Sequence, residues 1–147
     1  MKQSLDAIVI LEDNPARVKI MRDVVATLPG GFELWHFDSV EALRAGDLRG
    51  IRLISLDFSL ENSSARKPGT GMDAVDFLIK RRAPVCPVIV HTSSAGDSRK
   101  MAEALERKGW SVKRVDFGSS DRAEKWRSAA MELMGFNKSG QASDRGH

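Results

Sequence analysis

Ala7 to Leu11 is an unbroken apolar run, β-branched through its middle, that stops at Glu12-Asp13-Asn14-Pro15. Such a run predicts a strand covered on both faces. Asn14 followed by Pro15 is a helix start, because the Asn side chain can accept from an orphan amide and proline fits the first helical position. Val18, Met21, Val24, Val25 and Leu28 then recur at helical spacing until Pro29-Gly30-Gly31, which predicts a helix over Pro15 to Leu28. A second strand is expected over Phe32 to Phe37. Asp38 or Ser39 can cap a short helix with Val40, Leu43 and Leu48 inward, and Ile51 to Leu56 is a third apolar strand that ends at Asp57.

Glu61 to Gly71 is rich in turn formers and long for a connection, so it is a candidate lid before a helix over Met72 to Arg82. Pro87 to His91 is the fourth strand. Ala95 to Lys108 has Met101, Ala102 and Leu105 on one face of a helix, and Trp110 to Phe117 is a weaker fifth strand. Ser119 and Ser120 can cap a last helix carrying Ala123, Trp126, Ala130, Leu133 and Met134, closed by Gly135. Residues 1–136 are therefore expected to form one domain, with Asn137 to His147 a polar, disordered tail.

Five strands alternating with five helices imply a doubly wound α/β fold: a five-stranded parallel sheet between two helical layers, in the flavodoxin-like order 2-1-3-4-5. In such sheets ligands bind outside the carboxyl ends of the strands. The residues at those ends are Glu12, Asp13, Asp57, Thr92 and Ser93.

Length and composition narrow the classes. A chain of 147 residues supports one core rather than two domains. Its 23 basic and 20 acidic residues give a net charge of +3, too small a field to imply nucleic-acid binding. A single cysteine, Cys86, cannot form an internal disulfide, which suits a reducing compartment. Met1 to Asp6 lacks the apolar stretch of a signal peptide, and no apolar run near it approaches the roughly 20 residues that span a bilayer. The expectation is a cytoplasmic protein with no membrane segment.

If the first and third strands are neighbours, Glu12, Asp13 and Asp57 share one crevice. Their mutual repulsion favours a hard divalent cation such as Mg2+, which prefers oxygen ligands. The competing interpretation is that Glu12 and Asp13 only begin a helix, where the dipole favours acids, and that Asp57 starts a loop. The remaining motifs are weaker. Gly69-Thr70-Gly71 lacks the Lys-Ser or Lys-Thr of a P-loop, Lys80-Arg81-Arg82 suits a solvated helix end, and the three His have no metal-ligand spacing.

In this ordered set the chain resembles the receiver domains of two-component response regulators. Ile8-Val9-Ile10-Leu11-Glu12-Asp13-Asn14 resembles their acidic-pair motif, and Leu53-Ile54-Ser55-Leu56-Asp57 their phosphoacceptor strand. Gly71-Met72-Asp73 matches the start of the third helix and Pro87-Val88-Ile89-Val90-His91-Thr92-Ser93 the switch strand. The resemblance implies that Asp57 accepts a phosphoryl group, that Glu12, Asp13 and Asp57 hold Mg2+, and that Thr92 binds the new phosphate. It also implies a histidine kinase or phosphotransfer protein as donor and a downstream protein target. That target would dock on a face of helix 4, strand 5 and helix 5, where Lys108, Trp110, Lys113 and Arg114 are expected; a homodimer is compatible with it. No effector domain is expected after Met134.

The chain departs from this pattern at strand 5. Receivers carry a Lys there that pairs with the phosphate, but this place is held by Val115-Asp116-Phe117-Gly118, with Lys113 two or three residues early. Trp110 or Phe117 could replace the missing switch aromatic. A second resemblance is to a receiver offshoot that processes cyclic phosphates, whose third strand ends Leu-Asp-His-Asp-Leu and whose fourth ends in His-Ser or His-Thr. Leu56-Asp57-Phe58-Ser59-Leu60, Gly69 to Asp73 and His91-Thr92 follow that outline, with Phe58 and Ser59 replacing its His and second Asp. Three functions are thus open: a phosphorylatable receiver, a phosphorylation-independent pseudo-receiver, and a small phosphoesterase in which His91 takes part.

Overall fold

A computed structural model describes residues 6–61, 63–81, 84 and 86–136 of the chain. In order the elements are β1 (Ala7–Leu11), α1 (Pro15–Thr27), β2 (Glu33–Phe37), α2 (Val40–Ala45) and β3 (Ile51–Leu56). Then come α3 (Gly71–Arg81), β4 (Val88–Thr92), α4 (Ala95–Arg107), β5 (Val112–Asp116) and α5 (Arg122–Leu133). The strands pair in parallel in the order β2-β1-β3-β4-β5, as the alternation of elements predicts. Arg82 and the expected tail, Asn137 to His147, lie outside the described residues.

Every residue of β1 and β4 is buried, which is why these strands read as continuous apolar runs. One face packs Val9, Leu11, Ile54, Leu56 and Val90 against α2, α3 and α4 through Leu43, Val75, Leu78, Met101 and Leu105. The other packs Ile8, Ile10, Leu53, Ile89 and Val115 against α1 and α5 through Met21, Val25, Trp126 and Ala130. Among the described residues no helix is long and apolar enough to cross a membrane.

The helix starts follow local chemistry. Asn14 Oδ1 accepts from the Ala16 amide at 2.9 Å with Pro15 next, and Ser39, rather than Asp38, caps α2 through the Ala42 amide. The Thr70 amide donates to Asp73 Oδ2 at 2.8 Å, an arrangement that fixes the start of α3. The long loop before it is pinned at its end by Pro68 carbonyl to Val40 amide and by Phe58 carbonyl to Gly71 amide. Asp121, not Ser119 or Ser120, is the N-cap of α5; the Ser119 hydroxyl instead donates to the Asp121 carboxylate. Ser119 thus holds the acid beside the helix start.

Strand 5 is shorter than its apolar pattern suggests. The Trp110 amide closes the end of α4 on the Leu105 carbonyl, and its side chain lies in the core. Trp110 therefore does not belong to an exposed docking face. Lys113 and Arg114 also part company, because successive side chains leave a strand on opposite faces. Lys113 pairs with Glu132 of α5 at 2.8 Å, whereas Arg114 donates to Ser98 Oγ of α4 at 2.8 Å.

Candidate functional site

β1 and β3 are adjacent with Leu11 opposite Leu56, so the next residue of each, Glu12 and Asp57, emerge side by side. The Asp57 amide donates to the Leu11 carbonyl at 3.0 Å, extending the ladder up to the site. Asp13 follows on the same turn, and one oxygen from each of Glu12, Asp13 and Asp57 lies within 4.8 Å of the others. Glu12 is 0% and Asp57 3% exposed, while Asp13 is half-buried. The floor beneath Asp57 admits no extra atom: a Cβ on Gly71 would stand 2.4 Å from the Asp57 carbonyl and 2.8 Å from the Phe58 Cα. Only glycine lets α3 begin there.

Each acid is oriented. Glu12 Oε2 accepts from the Asp13 and Asn14 amides at 3.1 and 3.0 Å, and the His36 ring is 2.7 Å from the Glu12 carbonyl. Asp57 Oδ1 accepts from the Phe58 amide at 2.8 Å. Burial pushes the Glu12 carboxyl up to about 7, against the pull of the Asn14 amide and Arg17. Burial likewise raises Asp57 to about 6; the Glu12 charge adds to this, and His91, the Phe58 amide and Arg17 oppose it. Two carboxyls held above their ordinary range next to a third are an anionic site in need of a cation. The donor set fits Mg2+: hard oxygens, close enough to share one ion at about 2.1 Å after small adjustments.

His91 is wholly buried between Glu12 and Ser55. Trp126 Nε1–H, which can only donate, donates to Ser55 Oγ at 2.9 Å. The Ser55 hydroxyl is 2.5 Å from His91 Nδ1, and His91 Nε2 is 2.9 Å from Glu12 Oε1. Burial lowers the His91 ring to about 4, so at neutral pH it holds one proton. Where Glu12 is ionised its carboxylate can only accept, which puts that proton on Nε2 and leaves Nδ1 to accept from the Ser55 hydroxyl. His91 is thus a support for a carboxylate, with both nitrogens engaged and Phe117 packed on the ring at 5.1 Å between centroids.

Thr92 ends β4 opposite Asp116. Its hydroxyl accepts from the Ser94 amide at 3.3 Å, and it lines a shallow hollow with Ser98, Arg114 and Asp116 on the side of β4 away from His91. Lys113 does not reach the acids; its ammonium is taken by Glu132. The positive group at the site is Arg17, whose Nη1 is 3.7 Å from Asp57 Oδ2 and 3.9 Å from Glu12 Oε1. Sequence reasoning missed Arg17, together with the Ser55 and Trp126 links of the buried chain. The signal for Arg17 was its place in the first turn of α1, since helical side chains lean toward the helix N-terminus and the acids lie there.

A five-stranded parallel sheet of this order with three acids at its carboxyl rim defines a receiver domain. Solved structures agree in fold. A response regulator receiver protein from Pseudoalteromonas atlantica superposes with a TM-score of 0.66 at 15% identity, covering 87% of this chain and 96% of that one. A response regulator from Colwellia psychrerythraea gives 0.65 at 16% identity over 89% and 98%. The Mn2+-bound form of response regulator Rcp1 gives 0.62 at 19% identity over 87% and 93%. Residues 7–107 match the model of the cyclic-phosphate processing receiver domain, and the chain belongs to that family. No curated protein matches the sequence significantly. The family match ends with α4, so β5, Phe117 and α5, where the chain departs from the receiver pattern, lie beyond it.

Proposed function

We propose that this receiver is a signalling module in which Asp57 accepts a phosphoryl group, with a divalent ion held by Glu12, Asp13 and Asp57, and whose output is docking to another protein. The observation that carries the reading is the meeting of those three carboxylates around Asp57, beside one guanidinium. With its carboxyl near 6, Asp57 is mostly ionised at neutral pH and needs no separate base. One of its oxygens attacks the phosphorus of a phosphohistidine or a small acyl phosphate. A P–O bond forms to Asp57 as the bond to the leaving group breaks, its electron pair departing with that group. A bound Mg2+ supplies charge neutralisation for the phosphoryl oxygens.

The Thr92 hydroxyl, which now serves the Ser94 amide, is the candidate donor to a phosphate on Asp57. α4 starts at Ala95, so drawing Thr92 inward moves the entry to that helix and changes the surface of α4 and β5, where Lys108 and Arg114 are exposed. A histidine kinase or phosphotransfer protein in the cytoplasm is the source of phosphohistidine in this reading. Incubation with acetyl phosphate and Mg2+ should add one phosphoryl group to the intact mass, and Asp57→Asn should abolish it. A wild-type chain that gains none and ignores beryllofluoride at millimolar Mg2+ would instead be a phosphorylation-independent interaction module.

The family's description favours a second reading, hydrolysis of a cyclic phosphate. It needs a group to move a proton at the acids. His91 is enclosed, and Phe58 and Ser59 stand where that outline has His and Asp. Turnover of a cyclic nucleotide phosphate that is lost in both His91→Ala and Asp57→Asn would establish this reading over the first.

A further inference from the structure

The acidic rim already holds a positive group, and the way it is held suits a second task. The Arg17 side chain is 20% exposed, and its distances of 3.7 and 3.9 Å from Asp57 and Glu12 exceed the usual range of about 2.7–3.2 Å for N–H···O bonds. It therefore offsets their charge without committing its donor fork to them. The guanidinium carbon stands 5.7 Å from the centroid of Phe117, a ring that is fully buried and so a fixed seat. Arg122 stacks on the same ring at 5.9 Å and donates to the Phe117 carbonyl at 3.3 Å, which holds that seat from α5. Phe117 lies one residue beyond β5, in the Val115 to Gly118 stretch where a receiver carries its phosphate-pairing Lys.

We propose that Arg17 is the cationic oxyanion-binding residue of this site, beside the Thr92 hydroxyl. In the resting chain it is the counter-ion of Glu12 and Asp57. When a phosphoryl group is on Asp57, the guanidinium pivots on Phe117 and directs two N–H groups at the phosphoryl oxygens, a geometry for which its planar fork is suited and an ammonium is not. The inference rests on the phosphoacceptor reading of Asp57. It carries two consequences of opposite sign: a resident cation competes with a divalent ion for the same carboxylate charge, yet helps hold an anion.

Calorimetric titration of the full chain with MgCl2, then with beryllofluoride at saturating Mg2+, separates these. Arg17→Met keeps an unbranched apolar stem and removes the charge. It should bind Mg2+ at least about threefold tighter and beryllofluoride at least about tenfold weaker. Lys113→Ala should match the wild type in both. Weakening of both ligands by Arg17→Met would make Arg17 structural; unchanged beryllofluoride binding, or Mg2+ binding that does not tighten, would equally overturn the proposal. Should Arg17→Met fail to fold, Arg17→Lys decides: its beryllofluoride affinity should fall about threefold or more, because an ammonium cannot bridge two oxygens as a fork does, and wild-type affinity would overturn the role. A wild-type chain that takes no beryllofluoride sinks the Asp57 reading and this one with it. A responsive wild type beside unaffected Arg17 variants sinks this one alone.

Discussion

The rim of the sheet has a carboxylate half and a cation half, and they are built by different rules. Glu12 and Asp57 follow directly from the ends of buried central strands and Asp13 is next after Glu12, so backbone pairing of β1 with β3 places them. Arg17 reaches the same point from the first turn of α1, across a gap, and is steadied by an aromatic ring beyond the edge strand. Position in the ladder fixes the first half to within a side chain's length. The second depends on packing between three elements remote in sequence. A positive charge near a carboxylate site is a requirement of charge balance, and several elements of a doubly wound fold can meet it.

The contrast can be tested most severely at Glu12. Its folded carboxyl near 7 lies above its ordinary 4.5 because of burial, so the folded chain binds this proton more tightly than the unfolded chain does. The stability from this group is complete below about pH 4.5 and is lost as pH rises through 7. Glu12→Gln imitates the protonated form, and without divalent ions its stability relative to the wild type should climb by up to roughly 3 kcal/mol across that window. His91, lowered to about 4, titrates with the opposite sign, being stabilising above about 6.5 and progressively less so toward 4. Only the difference between wild type and variant isolates Glu12. Urea unfolding at several pH values measures this, and a difference that stays flat would break the account of a desolvated carboxylate.

A smaller effect is expected in the buried chain that props the carboxylate half from behind. Ser55→Ala takes the partner from both Trp126 Nε1–H and His91 Nδ1, leaving two buried polar groups unsatisfied at a cost of about 2 kcal/mol. Chemical denaturation followed by Trp fluorescence checks it; a loss under half that would mean the groups find other partners. The smallest is at Lys113. Its pair with Glu132 is solvent-exposed, so Lys113→Ala should cost less than about 1 kcal/mol and leave Mg2+ affinity unaltered. A marked change in Mg2+ binding would return strand 5 to the cation half.

Much of this was legible in the residues. The apolar runs of β1, β3 and β4 leave no solvated face and so demand a parallel sheet covered on both sides, and the alternation with helices restricts its order. Asn14-Pro15 and Ser39 mark their helix starts by local hydrogen bonding. At the ends of β5 and the cap of α5 other contacts overrule the local pattern: Trp110 closes α4, and Ser119 serves Asp121 instead of the helix. The acids could be named in advance because each sits beside a strand end, and a strand end is a local feature.

The sequence alone determined the element order, the layered sheet and the three carboxylates at its rim, since these follow from hydrophobic period and chain connectivity. Tertiary structure alone decided that His91 props Glu12 instead of facing a ligand, that Lys113 turns to α5, and that Arg17 supplies the charge. Those outcomes depend on which side chains meet across the core, and separations of 71 residues between Ser55 and Trp126 or 79 between Glu12 and His91 leave no local trace.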